Sequence, residues 1–172
     1  TKNLPGKIKK RFMMTHFFNP PRYMQLLELV RGTETTDQVY DSMVEFGESI
    51  LGKGAVHAKD TPNFIGNRIG VYGMMIAINL AKEYGLTVEE VDKLTGPISG
   101  RPKSATFRTA DVVGLDTLKS VSLTTYEKAL EDEERDMFQI PSILENLIET
   151  GRLGQKTKSG FYKKNEDRSI HS

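Results

Sequence analysis

The sequence predicts a mainly α-helical protein, in which a helical C-terminal domain at residues 61–164 follows a short α/β segment at residues 1–60. Three observations support this fold class. Two apolar runs bounded by turn residues, together with one amphipathic helical pattern, precede residue 60. Beyond residue 61, apolar residues recur at helical spacing. Capping residues stand between successive helical segments, which indicates several short helices that pack together.

The first 60 residues predict the order strand, strand, helix, strand. Phe12–Phe18 is an apolar and aromatic run closed by an Asn-Pro-Pro turn, and Met24–Val30 is a second run ended by Arg31-Gly32. Thr35 with Gln38 has the pattern of a capping box that opens a helix ending at Gly52, and residues 55–58 form a third strand. Three strands and one helix are too few to enclose a hydrophobic core. We therefore expect them to be the trailing part of a larger α/β domain whose beginning is absent from this chain.

The remaining residues predict a series of helices. A long central helix is expected to begin with Thr61 as cap and Pro62 as first helical residue, and to end at Tyr84 before Gly85. Thr87 and Glu90 form a capping box for a short helix that ends near Thr95. Three further helices are expected at residues 106–113, 117–129 and 142–150, and the polar residues 165–172 are expected to be a tail or linker.

Composition excludes several classes of function. The 24 basic and 23 acidic residues leave a net charge of +1, so neither nucleic acid nor an anionic membrane is expected as a partner. The longest apolar stretch, residues 64–81, is interrupted by Asn67, Arg68 and Asn79 and therefore predicts a buried helix rather than a membrane span. The absence of cysteine and of a signal peptide favours a reducing compartment, and we expect a cytoplasmic protein. No metal site is expected, because the three histidines are dispersed.

His16 and Glu28 are candidates for an acid/base pair. His16 stands where an apolar strand meets a proline-rich turn, a place where the sheet holds a side chain that solvent can reach. A single histidine at a strand end is more often a hydrogen-bonded core residue. Glu28, however, interrupts a leucine-rich strand, where a buried carboxylate needs a partner, and the neighbouring strand can place it beside His16. Such a carboxylate would select the imidazole tautomer and stabilise the imidazolium.

Asn67 is the third candidate. It lies near the start of the long helix between Gly66 and Gly70, which permit close approach of a ligand or another backbone. Its amide could donate to a substrate oxygen, or it could only bond to a neighbouring loop, and the spacing does not separate these interpretations. The chain contains no Gly-x-Gly-x-x-Gly segment, so it carries no dinucleotide phosphate-binding loop.

The chain closely resembles the L-3-hydroxyacyl-CoA dehydrogenase family, on motifs spread over most of its length. They are His16-Phe17-Phe18-Asn19-Pro20, Glu28 twelve residues after that histidine, Asp60-Thr61-Pro62 leading to Asn67-Arg68, Val113-Gly114-Leu115-Asp116-Thr117, and Gly154-Gln155-Lys156-Thr157-Lys158-Ser159-Gly160-Phe161-Tyr162.

The resemblance implies an incomplete Rossmann-type nucleotide-binding domain followed by a helical domain. It implies NAD-dependent oxidation of an L-3-hydroxyacyl-CoA to the 3-ketoacyl-CoA in β-oxidation. His16 would be the general base, Glu28 would orient and charge-balance it, and Asn67 would bind a substrate oxygen. NAD would be held mainly by a domain largely absent from this chain, so the chain alone is expected to be inactive. Asn63 departs from the family pattern, because glycine is common at its position.

The same resemblance implies partners and leaves alternatives. Family members commonly dimerise through the helical domain, so a homodimer and an acyl-CoA substrate are expected. The Arg101-Pro102-Lys103-Ser104 variant resembles bacterial and archaeal forms, some of which continue into an enoyl-CoA hydratase-like domain. One alternative is a non-catalytic helical dimerisation module. Another is a sister NAD-dependent dehydrogenase that acts on a free hydroxy acid or sugar acid.

Overall fold

The computed structural model describes residues 3–164 and the backbone of residues 170–171. The chain forms two compact units, Thr1–Ile65 and Gly66–Ser172. The first holds a small sheet and the second is helical, which confirms the predicted fold class. In the described part of the chain, no helix is long and apolar enough to cross a membrane.

The N-terminal unit is built on a three-stranded sheet. A short helix, α1 (Gly6–Lys9), precedes β1 (Met13–Phe17), β2 (Leu26–Arg31) and β3 (Gly54–Ala58). β2 lies in the middle, antiparallel to β1 and parallel to β3. The four inner residues of β2, residues 27–30, are all buried, because a strand with neighbours on both edges has little contact with solvent. The three predicted strands are confirmed.

The helix between β2 and β3 begins one residue later than the prediction. α2 (Asp37–Glu45) continues as a π-helical turn, Phe46–Ile50. Thr36, not Thr35, precedes the helix, and its side chain makes no capping hydrogen bond. The Thr35 hydroxyl instead accepts from the Gly32 N–H at 2.8 Å and donates to the Phe12 carbonyl oxygen at 2.5 Å. The predicted capping box was therefore wrong, because a tertiary contact to the strand entrance engages the same hydroxyl.

The C-terminal unit contains five helices among its described residues. α3 (Gly66–Tyr84) is the longest and packs against α6 (Leu115–Lys128) and the 3₁₀ turn Arg135–Phe138. α4 (Val88–Leu94), α5 (Phe107–Val113) and α7 (Ser142–Glu149) complete the set, and 3₁₀ turns occur at Pro97–Ser99 and Gln155–Thr157. The core is formed by large apolar side chains that solvent hardly reaches, namely Met75, Ile78, Leu115, Leu118, Phe138 and Leu144.

The ends of α3 show one wrong prediction and one confirmed one. The helix begins at Gly66, not at Pro62, because Asn63 (φ 60°) and Phe64 (φ 50°) adopt left-handed backbone conformations that no α-helix contains. It ends at Tyr84 as predicted: Gly85 has φ 63°, and the Leu86 N–H donates to the Ala81 carbonyl oxygen at 2.9 Å. The predicted capping box of Thr87 and Glu90 is also present.

The segment after α7 is not wholly helical, contrary to the prediction. Its backbone forms isolated bridges from Ser159 to Gly154 and Lys163, and β4 (Lys163–Lys164) pairs with β5 (Ile170–His171). Apart from the backbone of β5, the predicted tail at residues 165–172 lies outside the described residues.

Candidate active site

His16 and Glu28 face each other across the sheet of the N-terminal unit. His16 on β1 is the direct register partner of Glu28 on β2. Their side chains meet, with His16 Nδ1 2.6 Å from Glu28 Oε2. Because side chains of directly opposed residues lie on the same face of a sheet, the register itself creates this contact. The predicted contact between the two residues is therefore present.

The second oxygen of Glu28 also has a partner. The backbone N–H of Ile65 donates to Glu28 Oε1 at 2.9 Å. The Glu28 side chain is 0% exposed, so each of these interactions replaces hydration that the carboxylate loses on folding. With both oxygens engaged, the carboxylate cannot rotate freely beside the imidazole.

The imidazole of His16 is held between aromatic rings but still meets solvent. The ring centroid of Phe18 lies 4.7 Å from that of His16, and the centroid of Phe64 lies 5.7 Å away. The His16 side chain remains 30% exposed. A carboxylate can only accept a hydrogen bond, so Nδ1 carries the proton and Nε2 has a lone pair. Within the described residues, Nε2 makes no hydrogen bond.

This arrangement suits proton abstraction. A neutral imidazole with Nε2 accessible can take a proton from a hydroxyl group, and the buried carboxylate stabilises the imidazolium that forms. The sequence pattern predicted the two polar residues. It did not predict Phe64 or the Ile65 N–H, because both depend on a left-handed turn whose only sequence signal is Asn63, a residue that tolerates positive φ better than most.

Asn67 belongs to the other unit. It is the second residue of α3, within the C-terminal unit, and it is half-buried. Its predicted contact with a substrate oxygen stays a prediction.

A different polar cluster lies inside the C-terminal unit. The buried Asp92 carboxylate on α4 accepts from the backbone N–H groups at the start of α5, those of residues 106, 107 and 108, at 3.1, 2.6 and 3.1 Å. It also accepts from the Tyr162 hydroxyl at 3.0 Å. Burial, with the hydrogen bond to Asp92 and its charge, raises the pKa of Tyr162 to about 12. Asp92 thus caps a helix that has no side-chain cap of its own.

Asp111 plays a similar part at the other end of α5. Its carboxylate accepts from the backbone N–H groups of Phe161 and Tyr162, both at 2.9 Å. Burial raises the pKa of Asp111, although these two hydrogen bonds act in the opposite direction. Gly154 and Gly160 press against the same residue, because a Cβ at either position would collide with Asp111 atoms. These carboxylates hold the closing Gly154–Tyr162 segment in place.

Arg68 and Asp132 form the main ion pair near the start of α3. The Arg68 guanidinium donates to Asp132 Oδ2 through Nε, at 2.8 Å, and through Nη2. Burial acts to raise the pKa of Asp132, but hydrogen bonds from Arg68 and from the Glu134 N–H, together with the Arg68 charge, hold it below its usual value. The pair joins the start of α3 to the loop after α6.

Two family models match this chain. The one described as "3-hydroxyacyl-CoA dehydrogenase, C-terminal domain" matches residues 64–164. The one described as "3-hydroxyacyl-CoA dehydrogenase, NAD binding domain" matches residues 5–61. The two matches together include all three candidate residues.

Curated relatives and solved structures agree with this assignment. A "Probable 3-hydroxyacyl-CoA dehydrogenase" of Bacillus subtilis is 51% identical over 95% of this chain and 20% of its own length. A protein of the same name from Deinococcus radiodurans is 48% identical over 92% of this chain and 45% of its own length. The crystal structure of (S)-3-hydroxybutyryl-CoA dehydrogenase PaaH1 from Ralstonia eutropha superposes with a TM-score of 0.79 at 30% identity, covering 91% of this chain and 53% of that one. This chain therefore spans less than half of either curated relative.

Proposed function

We propose, because this chain belongs to the 3-hydroxyacyl-CoA dehydrogenase family, that the protein containing it oxidises an L-3-hydroxyacyl-CoA to the 3-ketoacyl-CoA in fatty-acid β-oxidation, with NAD as oxidant. The observation that carries the proposal is the contact between His16 Nδ1 and the fully buried Glu28 carboxylate. It orients a base whose other nitrogen, Nε2, is available to a substrate hydroxyl.

The chemistry divides between the chain and its cofactor. Bound NAD supplies the acceptor for the hydride that leaves carbon 3 of the substrate. His16 Nε2 takes the proton from the 3-hydroxyl group, so the imidazole becomes positively charged. The Glu28 carboxylate, 2.6 Å from Nδ1, stabilises that charge. Asn67 is proposed to donate its amide to a substrate oxygen and so to hold the reacting carbon in place.

NAD phosphates have no assigned ligand in this chain. The described residues include no glycine-rich turn between a strand and a helix, the device that binds a dinucleotide pyrophosphate. The proposal therefore assigns the phosphate contacts to residues outside this chain. It also keeps the predicted domain limits, with residues 1–60 as part of the NAD-binding domain and residues 61–164 as the helical domain.

Replacing His16 tests the proposal. In the full-length enzyme, His16→Ala should lower kcat by roughly a hundredfold or more, as for loss of a general base. His57→Ala is the matched control, because His57 is an exposed histidine on β3 that contacts Tyr40 at 3.0 Å. The rate of NADH formation from NAD and 3-hydroxybutyryl-CoA gives kcat of both variants. Undiminished turnover in His16→Ala would refute the proposed role.

A homodimer is part of the proposal. On α3, Ile69 is 66% exposed and Leu80 is 42% exposed, although a long apolar helix is normally covered. A second copy of the chain would cover these side chains, and symmetric dimers are the commonest closed assembly. Sedimentation over a wide concentration range should show a dimer. A strict monomer at high micromolar concentration would contradict it.

Two further features of the whole protein belong to the proposal. A fused enoyl-CoA hydratase-like domain is consistent with the Bacillus subtilis relative, of which this chain covers only 20%. A cytoplasmic location also stays a prediction. The length of the complete protein and fractionation of cells, respectively, would test them.

A further inference from the structure

The turn between β3 and α3 holds two consecutive non-glycine residues in the left-handed region. Asn63 has φ 60° and Phe64 has φ 50°. Asparagine adopts this conformation fairly readily, but for a bulky aromatic residue it is rare and strained. Such a conformation persists only where the surrounding contacts determine it, so the contacts of this turn indicate what it does.

Two contacts of the turn are made with the His16–Glu28 pair. The Phe64 ring lies 5.7 Å from the His16 ring, inclined at 57°. The next backbone N–H, that of Ile65, donates to Glu28 Oε1 at 2.9 Å. One short turn therefore contacts the imidazole on one side and fixes the carboxylate oxygen that the imidazole does not use. All of these residues lie in the same compact unit.

We propose that the turn Asn63–Ile65 is a positioning element for the His16–Glu28 pair. The left-handed conformation of Phe64 aims the Ile65 N–H at Glu28, and the Phe64 ring restrains the plane of the imidazole. Phe64 takes no part in proton transfer and acts only through the pair. The effect on turnover rests on the proposed function, whereas the effect on the imidazole itself does not.

Two substitutions of Phe64 distinguish the effect of its aromatic ring from the effect of its left-handed backbone conformation. Phe64→Gly removes the ring but adopts positive φ without strain. Phe64→Val also removes the ring, and its branched Cβ disfavours positive φ. Phe46→Val is the matched control, because Phe46 is a 44% exposed phenylalanine in the π-helical turn of the same unit.

The readouts are kcat of the full-length enzyme and the tautomer of His16, observed by ¹⁵N NMR of the ring nitrogens. Phe64→Gly should lower kcat roughly tenfold and keep the Nδ1–H tautomer, and Phe64→Val should lower kcat roughly a hundredfold, since small misplacements of a catalytic group have effects of this size. Phe64→Val should also show a mixture of tautomers. Phe46→Val should match the wild type in both measurements.

Equal behaviour of Phe64→Gly and Phe64→Val would overturn the proposal, as would a wild-type tautomer and kcat in Phe64→Val. If Phe64→Val fails to fold, Glu28→Gln provides a second test, because the amide proton resonance of Ile65 should move upfield when its charged acceptor is lost. An unmoved resonance would overturn the proposal. If His16→Ala leaves turnover unchanged, the proposed function fails while the tautomer measurements still decide the role of the turn.

Discussion

Glu28 in the N-terminal unit and Asp92 in the C-terminal unit are both buried carboxylates, but their surroundings differ. Asp92 accepts from three backbone N–H groups and a tyrosine hydroxyl, none of which gives up a proton near neutral pH. Glu28 accepts from the Ile65 N–H and contacts the imidazole of His16, whose side chain is 30% exposed. The first arrangement stabilises a helix terminus, and the second leaves a titratable group in contact with solvent.

The partners of a buried carboxylate therefore indicate its role. A carboxylate whose hydrogen bonds come from backbone N–H groups has no partner that can exchange a proton with a substrate. Its hydrogen bonds therefore contribute to the stability of the fold. A carboxylate that orients a half-buried imidazole in contact with solvent stabilises a change of charge, which is what proton transfer requires. We therefore expect substitutions at Asp92 and its neighbours to alter unfolding, and substitutions at Glu28 to alter turnover.

The largest effect is expected for Asp92→Ala. Removal of the carboxylate leaves three N–H groups at the start of α5 without their acceptor, so the free energy of unfolding should fall by about 4 kcal/mol. Chemical denaturation followed by circular dichroism measures the change. Glu149→Ala, an exposed carboxylate on α7, is the control and should change stability by less than about 0.5 kcal/mol. Equal effects of the two substitutions would show that Asp92 does not act as a cap.

Substitutions at two glycines test how closely the Gly154–Tyr162 segment packs against Asp111. Both have positive φ, 96° at Gly154 and 75° at Gly151, but only Gly154 lies where a Cβ would collide with the Asp111 carbonyl. Gly151→Ala should therefore cost about 1 kcal/mol for the backbone alone. Gly154→Ala should cost about 3 kcal/mol, because the segment must also move. Similar melting temperatures for the two variants would contradict this packing.

Glu28→Gln tests whether the buried carboxylate of the N-terminal unit acts in turnover. Glutamine can still accept from the Ile65 N–H but carries no charge to stabilise the imidazolium, so kcat should fall about tenfold, less than for His16→Ala. Steady-state kinetics measures kcat of the variant and of the wild type. An unchanged kcat would mean that Glu28, like Asp92, is structural.

The smallest effect is expected at the Arg68–Asp132 ion pair. Because the pKa of Asp132 is lowered in the folded state, its carboxylate stabilises the fold above the unfolded pKa, and this contribution is lost as pH falls through the folded pKa. Asp132→Asn should lower stability by about 1 kcal/mol at neutral pH, which is roughly 2–4 °C in melting temperature. The melting temperatures of variant and wild type should converge as the pH falls below the lowered pKa that Asp132 has in the folded state. A constant difference across this range would show that the charge is not responsible.

The sequence predicted the strands, helix ends and caps that depend on residues close to one another in the chain. The strands at 13–17, 26–31 and 54–58 follow from apolar runs between turn residues. The end of α3 at Gly85 and the capping box of Thr87 and Glu90 depend on residues close in sequence. Glu28 was identified because a carboxylate in a leucine-rich strand needs a partner, and the strand register brings it to His16.

Only the tertiary structure decided the features that depend on distant partners. The Thr35 hydroxyl contacts Phe12 rather than capping α2, and Asp92 caps α5 from another helix. The left-handed turn at Phe64 could not be predicted, because its strain is offset by contacts with His16 and Glu28 on other strands. By itself the sequence identified His16 and Glu28 as a pair of polar side chains that can meet, since residue type and spacing are local properties. Orientation of those residues depended on packing across the sheet, because long-range contacts override local preference wherever the two compete.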